Sequence, residues 1–327
     1  MWKAVNYESQ GRSHIKNNIP CQDKTVHREI NGVEIIALAD GAGSAALSHI
    51  GAETVINSIS DFLGENFETI INENSAQKTK QSIMEHLLIA LNKTSEEMSC
   101  NINDLASTLL VAAVKDNNYF LLHIGDGVIG YFDGSKIKVA SIPENGEFIN
   151  STVFVTSKKA LSSMKIFKGN ASKMYGFILM SDGTAESFYN KKDKSLAPVI
   201  KKIIYRNVIL NRETMLNMIK NSFDNIVISK TTDDCSIAIL SKFDKTLCEN
   251  DNMFFQELAS TLGIGLIREK RKKILRANQI LCALNSTKTI KQISRIIQLK
   301  EKHTKKHLYT LINSGLISKK GSFYFIG

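Results

Sequence analysis

Four short apolar runs punctuate the first 245 residues, and each meets an aspartate. Val33-Glu34-Ile35-Ile36-Ala37-Leu38-Ala39 leads into Asp40-Gly41, Tyr119-Phe120-Leu121-Leu122-His123-Ile124 into Gly125-Asp126-Gly127, and Gly176-Phe177-Ile178-Leu179-Met180-Ser181 into Asp182-Gly183. The fourth is reversed, with Asp233-Asp234 opening Cys235-Ser236-Ile237-Ala238-Ile239-Leu240. Short runs rich in β-branched and aromatic residues, bounded by Gly and Asp, predict buried strands. Around them Ser48 to Leu63 and Gln81 to Met98 repeat apolar residues at three and four positions and predict helices. Strand-like alternation ends near Ile239, and Ser241 to Met253 is polar, so a domain boundary is expected near residue 245. Phe254, Phe255, Leu258 and Leu262 then give a short amphipathic helix expected to pack onto the first domain.

After about residue 270 the period is helical again. Lys273 to Leu284, Ile290 to Ile297 with Thr289 as cap, and Glu301 to Asn313 predict three helices. Ser314-Gly315 ends the third, and Leu316 to Ile326 reads as a hairpin with Lys320-Gly321 at its turn. The expected organisation is a domain over residues 1–245, a linker with a short helix over 246–271, and a small domain over 272–327.

Composition narrows the class. With 43% hydrophobic residues, 23% charged residues and three prolines in 327, the chain is globular, not fibrous or disordered. Its apolar runs fall far short of the roughly 18 residues that a membrane span needs. Met1-Trp2-Lys3-Ala4-Val5 leads into polar residues without a secretory signal pattern. The five cysteines, at 21, 100, 235, 248 and 282, are odd in number and lack CxxC spacing, so reduced thiols and a cytoplasmic location are expected. The net charge of +10 is unevenly distributed: residues 251–327 hold 15 Lys+Arg against 4 Asp+Glu, leaving the remainder near neutral. Nucleic acid or an acidic partner is therefore a question for the C-terminal part alone.

The aspartates carry the candidate chemistry. In antiparallel sheets the end of one strand lies beside the start of its neighbour, so Asp40, Asp126 and Asp182 can share an edge with Asp233. Crowded carboxylates repel unless a cation sits among them, and hard divalent ions take carboxylate, carbonyl and water oxygens. One Asp-Gly after a strand is an ordinary turn; three such pairs with a double Asp point to a site.

These residues fall in a recognisable order. Gly11-Arg12-Ser13-His14 with Pro20-Cys21-Gln22-Asp23, Ala39-Asp40-Gly41-Ala42-Gly43-Ser44, Ser107-Thr108-Leu109 with Gly125-Asp126-Gly127, Ser181-Asp182-Gly183, and Asp233-Asp234-Cys235-Ser236 together resemble the metal-dependent type 2C serine/threonine protein phosphatases. The bacterial branch is the closer match, through Pro143-Glu144-Asn145-Gly146-Glu147 and Asn150-Ser151-Thr152. The resemblance covers residues 1 to about 241. It implies an α+β fold, a four-layer α-β-β-α sandwich of two antiparallel sheets, with two Mn²⁺ or Mg²⁺ ions at one edge and a third held more loosely. By position, Asp40 bridges the two metals, the Gly41 carbonyl binds one, and Asp182 and Asp233 complete the other. Asp23 resembles the family's metal-site carboxylate that acts through bound water, Asp126 matches its aspartate for a more loosely held third ion, and Asp234, standing where the family often has Asn, is expected behind the ligands. The implied reaction is hydrolysis of phosphoserine and phosphothreonine monoesters by a water bridging the two ions. The implied partners are a phosphorylated protein and the serine/threonine kinase pathway that supplies it, with no membrane involved.

Departures from the pattern matter too. Asp40-Gly41-Ala42 stands where many members carry Asp-Gly-His, Gln22 replaces an acidic residue, and the phosphate-gripping arginine aligns near Asn18. His14, Lys16 and Arg12 are the candidates for the phosphate contact or the missing proton, with His49 behind them. His123, inside an apolar strand, reads as a core residue. Attack by Cys21 or Cys235 would need a phosphate-cradling glycine loop after the cysteine, and Gln22-Asp23 follows Cys21 instead.

The C-terminal three helices and hairpin resemble a winged helix-turn-helix domain, with Leu311-Ile312-Asn313-Ser314-Gly315-Leu316-Ile317 at its helix-to-wing junction. That resemblance puts Lys302, Lys305 and Lys306 on the third helix near bases or phosphates, and Lys319 and Lys320 on the wing. DNA, RNA and an acidic protein all remain open as partners. The alternative to a targeted phosphatase is a DNA-binding regulator whose phosphatase-like domain is a weakly active or inactive sensor. A small-molecule phosphatase shares the same chemistry.

Overall fold

The computed structural model describes residues 2–143, 152–244, 251–265, 271–284 and 286–326. The chain divides into two compact units: one holds Ala4–Ala197 and Ile219–Leu240, the other Met1–Lys3, Pro198–Met218 and Ser241–Gly327. The residues between 198 and 218 thus group with the C-terminal part, a long-range association that no local pattern carries.

Two sheets build the first unit. Strands β2 (Lys24–Ile30), β3 (Val33–Ala39), β4 (Leu109–Lys115), β5 (Asn118–Ile124) and β8 (Lys165–Asn170) pair antiparallel in the order β2-β3-β4-β5-β8. The second sheet has β1 (Trp2–Ser9), β12 (Cys235–Lys242), β9 (Gly176–Met180), β6 (Val128–Phe132) and β7 (Ile137–Ser141), in the order β1-β12-β9-β6-β7. A short ribbon of β10 (Tyr189–Asn190) and β11 (Ser195–Leu196) completes the strands of this unit.

Side chains alternate across each strand, so Val33, Ile35, Ala37 and Ala39 line one face with Leu109, Val111 and Ala113. That face packs on α2 (Ser48–Asn72) and α3 (Ala76–Glu97). Ile36, Leu38, Leu110 and Ala112, on the opposite face, are equally buried, and β3 and β4 touch β9 of the other sheet. A sheet covered on both sides explains why these runs are almost uniformly apolar. The helix expected to stop at Leu63 continues to Asn72, because Phe67 and Ile70 prolong its buried stripe past the polar Glu65-Asn66. The Asp182-Gly183 pair is not a turn: Asp182 is the first residue of the helix Asp182–Phe188.

In the second unit, the helix Asn252–Thr261 is capped by Asp251, whose carboxylate accepts from the Met253 and Phe254 amides. It packs against Val199–Ile209, with Phe254 edge-on to Tyr205 at 5.4 Å and an Arg206–Glu257 ion pair at 2.7 Å. Three further helices, Arg271–Ala283, Ile290–Ile296 and Glu301–Asn313, bury Ile274, Ile280, Ile293, Leu308 and Leu311. Thr289 caps the middle one in a reciprocal capping box with Gln292. The hairpin is shorter than expected, Ser318–Lys320 with Phe323–Phe325, since Leu316 and Ile317 are buried ahead of it. Lys288–Thr289 adds a third strand against Phe323–Phe325.

Candidate active site

Asp40 sits where β3 ends, and two neighbours hold its backbone. Its amide donates to the Thr108 hydroxyl at 2.9 Å, and the Thr108 amide donates back to the Asp40 carbonyl at 2.8 Å. Gly41 bridges to Ser107, and its amide donates to the Gln22 carbonyl at 3.2 Å. The Ser107-Thr108 motif therefore works as a clamp on the Asp40-Gly41 turn.

Asp126 lies in the crossing between β5 of one sheet and β6 of the other. Buried His123, two residues before Gly125, holds that crossing: its Nε2 donates to the Gly125 carbonyl at 2.9 Å and its Nδ1 meets the Ser141 hydroxyl at 2.6 Å. Burial lowers this imidazole to about 3, so it is neutral and structural, as a histidine in an apolar strand should be. Gly125 adopts φ of +115°, which an L side chain rarely tolerates. The Thr152 hydroxyl donates to Asp126 Oδ2.

Asp234 ties the N-terminal loop to the last strand. Its Oδ1 accepts from the Gly11 amide at 2.6 Å and its Oδ2 from the Gln22 amide at 2.5 Å, while His14 Nδ1 lies 2.9 Å from Oδ1. A carboxylate fixed by two backbone amides is a charge-assisted clamp. Gly11 permits it, because a Cβ there would lie 2.3 Å from the Asp233 carbonyl carbon. Asp233, exposed, stands at the mouth, its Oδ1 accepting from the Asp234 amide at 2.9 Å.

The carboxylates do not share one sheet edge as expected; they converge at one end of the two sheets, Asp40 from one and Asp182 and Asp233 from the other. Asp40, Asp126 and Asp182 each offer an oxygen, and these oxygens all lie within 4.8 Å of one another. Burial pushes Asp40 well above the usual carboxylate range, and the charges of Asp23, Asp182, Asp126 and Asp233 push it further. Asp182 is raised to about 6 by burial and then by Asp126 and Asp233. Asp23 is 1% exposed, and neither of its oxygens makes a well-formed hydrogen bond. Burial raises it to about 8 against the opposing pull of the nearby Ser236 and Ser181 hydroxyls. Crowded, underpartnered hard-oxygen donors suit a divalent cation.

Asp40, Asp126, Asp182 and Asp233 floor a cleft of about 330 Å³, lined also by Ser13, His14, Gly41, Ala42 and Phe154, and Asp23 lies outside its lining. Among the described residues of its lining, His14 alone can carry a positive charge. Arg12 is engaged elsewhere, its guanidinium donating to the Thr231 carbonyl at 3.0 Å, and Lys16 is exposed on α1 (Arg12–Asn17) outside the lining. Asn18, where an arginine was sought, ends α1 with φ of +52° and also lies outside the lining. Ala42 packs with Ala45, Ala106 and Phe154, an apolar corner where a histidine was looked for. Burial raises the Cys21 and Cys235 thiols, and Asp234 beside the first and Asp23 beside both add to it, so neither is a ready thiolate. The 144–147 and 150–151 motif positions lie outside the described residues. Lys302, Lys305, Lys306, Lys319 and Lys320 are all exposed on the third C-terminal helix and the hairpin. The anchoring role of His123 was missed in the sequence; its position two residues before Gly-Asp-Gly was the signal.

Residues 10–220 match the family described as protein phosphatase 2C. Serine/threonine-protein phosphatase 3 of Escherichia coli K12 is 26% identical over 204 residues, which span 59% of this chain and 78% of that protein. Among solved structures, a bacterial serine phosphatase aligns with a TM-score of 0.54 at 14% identity, covering 75% of this chain and 99% of its own. The catalytic domain of the phosphatase PstP in complex with two manganese ions aligns at 0.51 and 13%, covering 75% and 100%. At such identities the structural likeness speaks for the fold. No helix among the described residues is long and apolar enough to cross a membrane. On the match across residues 10–220, the chain belongs to the protein phosphatase 2C family, and its activity is that of a serine/threonine protein phosphatase.

Proposed function

We propose that the chain hydrolyses phosphoserine and phosphothreonine in proteins with two Mn²⁺ or Mg²⁺ ions and a third held more loosely. The convergence of Asp40, Asp126 and Asp182 oxygens within 4.8 Å carries this reading. Asp40, the Gly41 carbonyl, Asp182 and Asp233 would hold the ion pair, Asp126 the third ion, and Asp23 would act through water behind Asp40. When bound, divalent ions neutralise the phosphoryl charge and acidify water for in-line attack on phosphorus.

The chain's own groups do the rest. The clamps on Asp40 and Asp234 hold the carboxylates at fixed positions, so little reorganisation is needed as the ester reacts. His14 Nδ1 faces Asp234, which leaves Nε2 to contact the phosphate or to give a proton to the departing serine or threonine oxygen. Arg12 and Lys16 are weaker choices for the same contact. The basic residues 272–327 are proposed as a winged-helix-like domain that targets the enzyme to nucleic acid or an acidic protein, with Lys302, Lys305, Lys306, Lys319 and Lys320 at the contact. Their exposure supports that role.

Purified protein should release phosphate from a phosphothreonine peptide with Mn²⁺ or Mg²⁺ and not with EDTA. Asp182→Asn should lower turnover by about 10³-fold. A folded protein with no turnover under either metal would overturn the catalytic reading and favour the regulator.

A further inference from the structure

In the C-terminal unit, the turn at Leu262–Ile264 and the helices Arg271–Ala283 and Glu301–Asn313 enclose a recess of about 350 Å³. Lys273, Lys306 and His307 line it together with Thr310. No carboxylate is among its described lining residues, and neither Lys273 nor Lys306 has an ion-pair partner among the described residues. Arg276 and His303 stand close as well: burial lowers the His307 imidazole, and the neighbouring Arg276, His303, Lys273 and Lys306 lower it more.

Lysines on a merely solvated helix face diverge into water, where their repulsion is screened. Here cation-capable groups on two helices turn toward one concave space, and the two helices are held together by the burial of Ile274, Leu308 and Leu311. Lysine ammonium groups with an imidazole N–H are donors suited to phosphate oxygens. The recess admits a terminal phosphate with a modest attached group. Lys302 and Lys305, on the same helix, lie outside its lining.

We propose that this recess is a binding site for the phosphate group of a small phosphorylated ligand, held by Lys273, Lys306 and His307. The site is separate from the cleft and does not depend on how the cleft works.

The full chain, kept in EDTA so that the acidic cleft binds no phosphate through metal, is titrated by calorimetry with inorganic phosphate, pyrophosphate, ATP and adenosine. Saturable binding of at least one phosphate-bearing probe is expected. It should weaken by about 10-fold in Lys273→Ala and in Lys306→Ala, and further in Lys306→Glu, while Asp182→Asn binds like the parent. Both lysines are exposed, so these variants should fold, as circular dichroism will verify. Three results would overturn the site: no saturable binding of any phosphate probe, affinities unchanged by the lysine variants, or adenosine binding as tightly as ATP. Loss of duplex DNA binding in Lys306→Ala without small-anion binding would also overturn it, making Lys306 a DNA backbone contact.

Discussion

The acidic cleft and the cationic recess both gather like charges, one by backbone and the other by helix faces. In the cleft Asp40 and Asp233 are set by contacts distant in sequence, Asp40 by Thr108 and Asp233 by the Gly11–Asp234 contact, while Asp126 is set by the His123-anchored crossing. In the recess the lysines ride on two amphipathic helices whose opposite faces form a small core. The first arrangement forces partly buried charges together and raises the proton affinity of Asp40 and Asp182; the second keeps its lysine tips near water, where repulsion is cheap. The cleft should therefore destabilise the metal-free fold, and the recess should scarcely affect it.

Gly11→Ala strikes hardest at the cleft's design, since the added methyl meets the Asp233 carbonyl carbon at 2.3 Å. A loss of about 1–3 kcal/mol in urea unfolding is expected, with turnover falling as the Asp234 clamp opens. Unchanged stability would mean that the loop is not fixed by this approach.

Without metal, Asp23 and Asp182 hold protons up to about 8 and about 6, against an ordinary value of 3.8 in the unfolded chain. These two groups bind more protons in the folded chain than in the unfolded one, so the stability they contribute is fully present below about pH 3.8 and is lost as pH rises toward about 8. His123, lowered to about 3, runs the other way up to its ordinary 6.5, so the decline shows in the window from pH 6.5 to about 8. Thermal melts in EDTA should show this decline, and Mn²⁺ should suppress it. A melting temperature that rises over the window would break the contrast. Asp182→Asn in EDTA at pH 8 should gain about 1 kcal/mol by removing one repelling charge, whereas Lys306→Ala should leave the metal-free melt unmoved. Smallest and most local, Thr289→Ala removes the capping box and should cost about 1 kcal/mol in the C-terminal unit, with peptide dephosphorylation intact.

The carboxylates were legible because each sits at the end of an apolar run, and strand ends survive as local signals. Thr289 and the helix Glu301–Asn313 were legible for the same reason, a cap and a period of 3.6. What remained hidden depends on residues far apart in the chain. The Gly11 approach to Asp233 leaves no trace but the glycine itself, and the pairing of Val199–Ile209 with Asn252–Thr261 rests on Tyr205, Arg206, Phe254 and Glu257, none of which announces its partner. Lys16, Arg12 and His14 looked equivalent as neighbours in one short stretch; α1 turns only His14 into the cleft.

The Asp234 clamp also has a consequence for biosynthesis. Gly11 and Asp234 are 223 positions apart, and Gln22 and Asp234 are 212 apart. A ribosome that has made the strands carrying Asp40, Asp126 and Asp182 has not yet supplied the residue that fastens the N-terminal loop, or Asp233 beside it. Contacts of such long range form late and slowly. The N-terminal loop is thus not fastened over the cleft until β12 is free of the ribosome.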